Sequence, residues 1–186
     1  MNTPTTRQGS VLFTDLVGFT DYTDACGDVA ALDVLDQQAA IVQHAIAAVS
    51  NARVVKELGD GLMLWFERAA EAVTTAEQIL VTVGARRAGG FPLAVRMGVH
   101  CGEVIERGDD FVGQTVNIAA RVADLAGPGE LLASEPVVRS LDDQVLRTRF
   151  RPVGPTRVKG VGAPIWLHRL ARDVSPAGSG VIAARS

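Results

Sequence analysis

The chain has 186 residues, 47% hydrophobic and 21% charged, a balance that excludes disorder and collagen-like order and suits one compact domain. Its net charge of −3 and pI near 5.6 argue against a nucleic-acid or membrane-surface binder. Residues 1–9 are expected to be irregular, 10–172 to form the folded domain and 173–186 to be a small, polar, flexible tail. In chain order, Ser10–Phe13 is a short β-rich run ending at Thr14-Asp15. A long helix is predicted from Asp28, with Val29, Leu32, Leu35, Ala39, Val42, Ile46 and Val49 stepping by three and four. Arg53–Leu58 and Leu62–Phe66 read as strands joined by Gly59-Asp60-Gly61, because Asp-Gly between two apolar runs signals a hairpin.

A second helix is predicted over about Arg68–Arg87, broken by Gly89-Gly90. Leu93–His100 alternates as a strand, with Cys101–Arg107 as its hairpin partner. Gly108-Asp109-Asp110 leads to a third helix from Gly113 or Gln114 to Leu125, stopped by Gly127-Pro128-Gly129. Glu130–Ala133 reads as a short strand and Glu135–Leu141 as a short helix. Strands near Val145–Phe150 and Ile165–Leu170 flank a loop over Pro152–Gly162. The order suggests an α+β sandwich, a ferredoxin-like split-βαβ sheet with helices on one face. No run reaches the ~18 apolar residues of a membrane span, and polar Met1–Ser10 is not a signal peptide. Cys26 and Cys101 are too few for a disulfide scaffold and suit a reducing compartment, most simply the cytoplasm.

Two carboxylates stand at places where strands end. Asp15 closes the first run and Asp60 tips the central hairpin; each has an ordinary reading as a turn or cap residue. Should the two ends meet, they make a hard-oxygen site for Mg²⁺ or Mn²⁺. Leu16 to Thr20, including Gly18 and Phe19, adds backbone N–H groups entering a helix, a cradle for phosphate. Asn117 and Arg121 stand at i and i+4, on one face of the third helix. Asn is a poor mid-helix residue, although a solvated face with an Arg121–Asp124 contact also accounts for the pair. Lys56 and Lys159 read alternatively as an edge lysine and a loop cation.

Taken together these segments resemble a class III adenylate/guanylate cyclase catalytic domain. The resemblance runs through Phe13–Thr20, Lys56–Gly61, Arg96–Gly102, Gly113–Arg121 and Val158-Lys159-Gly160, in the family's order, and covers about Ser10 to Leu170. The Ala-, Val- and Arg-rich composition is similar to that of actinobacterial, mycobacterial-type members. The resemblance implies that Asp15 and Asp60, with the carbonyl of Leu16, hold two divalent cations. It implies that Asn117 orients the ribose, Arg121 meets charge on the α-phosphate and Lys159 holds terminal phosphate oxygens. Lys56 and Asp110, which stands seven residues before Asn117, would read the base. Lysine only donates and ionised aspartate only accepts, which is complementary to adenine N1 and N6. The expectation is therefore an adenylate cyclase making 3′,5′-cyclic AMP and pyrophosphate from ATP.

In this family both aspartates come from one chain and the remaining groups from its partner, which implies a homodimer with two equivalent sites. A diguanylate cyclase is the neighbouring alternative, but Gly59-Asp60-Gly61-Leu62 does not fit its G-G-[DE]-E-F signature. A catalytically weak or dead nucleotide-binding or dimerisation domain is the alternative of a different class. Such relatives lose a metal aspartate or the Asn/Arg pair, and all four residues are present here.

Overall fold

The computed structural model describes residues 5–171. Its strands are β1 (Thr6–Val17), β2 (Arg53–Leu58), β3 (Gly61–Phe66), β4 (Ala94–Arg107), β5 (Asp110–Val112), β6 (Leu131–Ser134), β7 (Phe150–Thr156) and β8 (Ile165–Leu170). Its helices are α1 (Phe19–Cys26), α2 (Asp28–Ile46), α3 (Ala69–Ala88), α4 (Gln114–Leu125), α5 (Glu135–Arg139) and α6 (Gln144–Thr148). One mixed sheet runs β2-β3-β1-β4-β6-β8-β7, with β5 paired to β4 alone. The β2-β3-β1-β4 portion is antiparallel and has the strand order of the split-βαβ unit. The α+β class read from the sequence is the one observed.

β1 and β3 are buried on both faces, as their apolar runs require. Leu12, Leu16, Leu64 and Phe66 point to one side, against Val34 and Ile41 of α2 and Ile79 and Val83 of α3. Val11, Phe13, Met63 and Trp65 point to the other, against Val116, Ala119 and Ala123 of α4. The expectation of helices on one face therefore holds for α1, α2, α3, α5 and α6, while α4 covers the opposite face. The reason lies in β4. A Cβ on Gly98 would stand 2.0 Å from the Ala123 nitrogen, so only glycine admits the α4 backbone there.

Other boundaries differ from the sequence reading. Residues 6–9 belong to β1, because they extend its ladder with β4, and so are not irregular. β4 does not turn back at Cys101. It continues to Arg107, held along its length by β1, and its hairpin partner is β5. Where a strand was expected over Val145–Phe150, Asp143 accepts hydrogen bonds from Val145 N at 2.8 Å and Leu146 N at 3.3 Å and so starts α6. The strand begins only at Phe150 and takes in Pro152–Thr156 of the expected loop. In α2 the expected seam is rotated. Val29 and Leu32 are 78% and 59% exposed, and the buried stripe is Ala31, Val34, Gln38, Ile41, Val42, Ala45 and Ile46. The expected tail, 173–186, lies outside the described residues. Among the described residues no helix is long and apolar enough to cross a membrane.

Candidate active site

Strand alternation sets the first side chains of the site. Thr14 turns toward α2, and Asp15 turns to the α4 side, half-buried. Asp15 lies opposite Arg96 in the β1–β4 ladder, and Arg96 Nε donates to Asp15 Oδ2 at 2.6 Å. Arg96 Nη1 also donates to the Asp124 carbonyl at the end of α4, at 3.3 Å.

The β2–β3 hairpin delivers Asp60 beside Asp15. Gly59 adopts φ +67°, in the left-handed region, to make the turn. A Cβ on Gly61 would lie 3.0 Å from the Thr14 carbonyl and 3.7 Å from Asp15 Oδ1, which shows how closely the turn approaches β1. Burial, and after it the facing Asp15 carboxylate, push the Asp60 carboxyl above its ordinary value, while the backbone N–H groups of Asp60 and Leu16 oppose the shift. Asp15 and Asp60, expected to meet, do meet. The Leu16 side chain is buried in the core and only its backbone faces the pair.

Asp15, Gln114, Asn117, Arg121, Asp124 and Lys159 line one open cleft of about 830 Å³. α4 contributes its exposed side, with Asn117 and Arg121 one turn apart, and Arg121 Nη1 donates to Asp124 Oδ2 at 3.1 Å. Lys159 reaches the cleft through a turn. Val158 is buried, Val161 N donates to the Val158 carbonyl at 3.1 Å, and Gly160 at φ +82° takes the position that a type II turn reserves for positive φ.

Lys56 and Asp110 lie apart from that cleft and meet each other. The β4–β5 hairpin folds back over the α4 face, where Phe111 packs on Trp65 with ring centroids 5.2 Å apart. Lys56 Nζ then donates to Asp110 Oδ2 at 2.7 Å, while Asp109 is exposed. Gly18, Phe19 and Thr20 form the β1–α1 turn. Gly18, at φ +79°, precedes a helix with no side-chain cap; Phe19 packs against the core and Thr20 is exposed. None of the three is among the cleft-lining residues.

Two residues at the site, Arg96 and Gln38, received no role from the sequence, whereas the Arg121–Asp124 contact is the one it offered as the alternative reading of α4. Arg96 flanks Asp15. Gln38 of α2 donates from Nε2 to the Asp60 carbonyl at 3.1 Å and to Thr14 Oγ1 at 3.5 Å. A charge inside the apolar strand Leu93–His100 and an amide inside an apolar helical stripe were the available signals. Among the described residues no group of three or more His, Cys, Asp or Glu side chains is placed to hold a metal ion. The candidate cation site is thus a pair of carboxylates with neighbouring backbone.

Residues 1–170 match the family described as the adenylate and guanylate cyclase catalytic domain. The chain belongs to this family. The pH-sensitive adenylate cyclase MT1302 of Mycobacterium tuberculosis (strain CDC 1551 / Oshkosh) is 31% identical over 181 residues, covering 95% of this cyclase domain and 44% of the relative. The domain thus spans less than half the length of that curated relative. Among solved structures, the adenylyl cyclase CyaB from P. aeruginosa superposes with a TM-score of 0.79 at 21% identity, over 95% of this chain and 100% of that one. The adenylate/guanylate cyclase/hydrolase from Silicibacter pomeroyi gives 0.76 at 25% identity, over 92% and 100%. These superpositions support the fold; a cyclase domain's choice of nucleotide has to be argued from its own residues.

Proposed function

We propose that this cyclase domain is an adenylate cyclase, converting ATP to 3′,5′-cyclic AMP and pyrophosphate in composite sites of a homodimer. The observation that carries the reading is that the chain holds two half-sites, Asp15 beside Asp60 at the strand ends and Asn117, Arg121 and Lys159 along one cleft, each for a second copy to complete. The choice of ATP rests on the Lys56–Asp110 pair, a donor beside an acceptor and so the complement of adenine N1 and N6.

The donor set at Asp15 and Asp60 fits a hard divalent cation, Mg²⁺ or Mn²⁺. The carboxylates face each other closely enough for one to raise the other's pKa, a repulsion that a dication relieves. Two such ions, held by Asp15, Asp60 and the Leu16 carbonyl, would supply polarisation of the 3′-hydroxyl and positive charge for the departing pyrophosphate. The chain's own groups do the rest. Asn117 orients the ribose so that its 3′-oxygen lies in line with the α-phosphorus and the bond to the β-phosphate. Arg121 leaves Asp124 and meets the charge that grows on the α-phosphate as the new O–P bond forms and the old one breaks. Lys159 and the backbone N–H groups of Gly18, Phe19 and Thr20 hold the outer phosphates. In the homodimer Asp15 and Asp60 of one chain work with Lys56, Asp110, Asn117, Arg121 and Lys159 of the other. That each chain carries both sets supports this arrangement. The free thiols of Cys26 and Cys101 suit a reducing, ATP-supplied compartment, the cytoplasm.

The test is incubation with ATP or GTP and Mn²⁺ or Mg²⁺, with chromatographic quantification of both cyclic nucleotides. Cyclic AMP and stoichiometric pyrophosphate are expected. Cyclic GMP formed at a comparable rate would remove the assignment of ATP. Nucleotide binding without turnover would leave a binding or dimerisation domain.

A further inference from the structure

Gln38 sits in the middle of α2, 3% exposed, on a stripe otherwise made of Ala31, Val34, Ile41, Val42, Ala45 and Ile46. Burying an amide costs free energy unless its hydrogen bonds are made, and a leucine or methionine would pack this seam without that demand. The amide is anchored where it matters. Its Nε2 donates to the Asp60 carbonyl at 3.1 Å and to Thr14 Oγ1 at 3.5 Å. A carbonyl can only accept, so the NH₂ end faces the turn. One side chain thereby ties the residue before Asp15 to the backbone of Asp60, across 24 and 22 residues of chain respectively.

We infer that Gln38 is a positioning residue that fixes the Asp60 turn against β1 and so sets the spacing of the Asp15–Asp60 pair. This rests on the reading of that pair as the divalent-cation site. Two carboxylates held face to face without a cation repel each other, and a hairpin tip is the softer of the two supports. The Leu16 N–H holds the Asp60 carboxylate, and a hold on the backbone of the turn adds to it. Gln38 holds that backbone from the α2 side, clear of the cleft and of the carboxylate oxygens. The site is then preorganised before the cation arrives, and the cation does not have to supply the ordering.

The experiment measures Mn²⁺ binding to the nucleotide-free protein by electron paramagnetic resonance of the free ion, alongside turnover as a function of Mn²⁺. Gln38→Met keeps the length of the side chain and removes the N–H donors; Gln38→Leu is a second apolar replacement in case the first fails to fold. Each is expected to unfold at about the wild-type temperature and to bind Mn²⁺ about tenfold more weakly. The Mn²⁺ needed for half-maximal turnover should rise by the same factor, with most of the maximal rate retained at saturation. Gln38→His, which restores a donor, should recover part of the affinity, an effect that packing alone does not produce. A folded Gln38→Met or Gln38→Leu protein with wild-type Mn²⁺ affinity overturns the inference. Asp60→Asn separates the two levels. If it too binds Mn²⁺ like wild type, the cation-site reading falls and the inference with it. If it loses Mn²⁺ while the Gln38 variants do not, only the role of Gln38 falls.

Discussion

Asp15 Oδ2 faces Arg96, and Oδ1 lies on the side of the Asp60 turn. That geometry separates the role of the carboxylate in chemistry from its role in stability. Replacing Asp15 by Ala leaves the half-exposed Arg96 with its bond to the Asp124 carbonyl but without its carboxylate, a loss of about 1 kcal/mol. The strand itself stays packed through Phe13, Thr14 and Leu16. Asp15→Ala and Asp60→Ala are each expected to lower cyclase turnover by at least about a hundredfold, with thermal unfolding shifted by only a few degrees. Turnover at saturating Mn²⁺ that matches wild type in either variant removes the metal assignment.

His100 shows a different kind of residue effect. It is 8% exposed, on the same face as Gly98 and Gly102, and its Nδ1 lies 2.6 Å from Ser134 Oγ. Burial disfavours the charged imidazole and lowers its pKa to about 4 from an ordinary 6.5. Between these values the unfolded chain takes up a proton that the folded chain refuses. The stabilising contribution is therefore complete above pH 6.5 and is lost as pH falls toward 4. Urea unfolding from pH 7 to pH 4 should show this loss, and His100→Asn should give a flatter profile over the same window. An unchanged slope assigns the acid sensitivity to other groups.

At the scale of elements, α4 is the part on which the cleft depends. It rests on β4 at two glycines, Gly98 beneath Ala123 and Gly102 beneath Thr115. The two contacts differ in what they oppose. A methyl at position 98 meets the α4 backbone 2.0 Å away, whereas at 102 it meets the Thr115 hydroxyl at 2.7 Å, which can rotate at the expense of its bond to the Glu103 carbonyl. Gly98→Ala should therefore destabilise by about 3 kcal/mol and Gly102→Ala by about 1 kcal/mol. Gly98→Ala should also cut turnover more than Gly102→Ala, because displacing α4 moves Asn117 and Arg121 out of the half-site that this chain presents to its partner. Equal effects in paired unfolding and turnover measurements would show that α4 is free to shift without consequence. The same scale explains the misread seam of α2. The three-and-four spacing that began at Val29 and Leu32 is equally met by Ala31, Val34, Gln38, Ile41, Val42, Ala45 and Ile46, and the packing against β1 and α3 selects this second stripe.

At the scale of the molecule, the proposed composite site makes a prediction that a site within one chain cannot satisfy. Asp15→Ala protein and Asn117→Ala protein should each be nearly inactive. In a heterodimer one interface collects both defects, and the other receives Asp15 and Asp60 from one chain with Asn117, Arg121 and Lys56 from its partner, all intact. Activity should reappear on mixing, in proportion to the heterodimer fraction. Subunits that demonstrably exchange while the mixture stays inactive exclude the shared site.

Local chemistry was enough to read the Asp60 hairpin, the bounds of α4 and the family segments around Asp15, Asn117 and Lys159, but not α1, β5 or α6. Turn propensity, helical periodicity and motif spacing are carried by residues near one another in the chain. Long-range packing decided the rest. Arg96 meets Asp15 only because the β1–β4 register places them opposite each other. Gln38 meets Asp60 only because α2 crosses over the hairpin, and α4 covers the second face only because Gly98 leaves room for its backbone. β4 runs straight through Cys101 because β1 supplies hydrogen-bond partners along its length, and no local signal records that supply. Sequence alone determined which groups the chemistry has available; the register and the helix crossings determined which of them face each other.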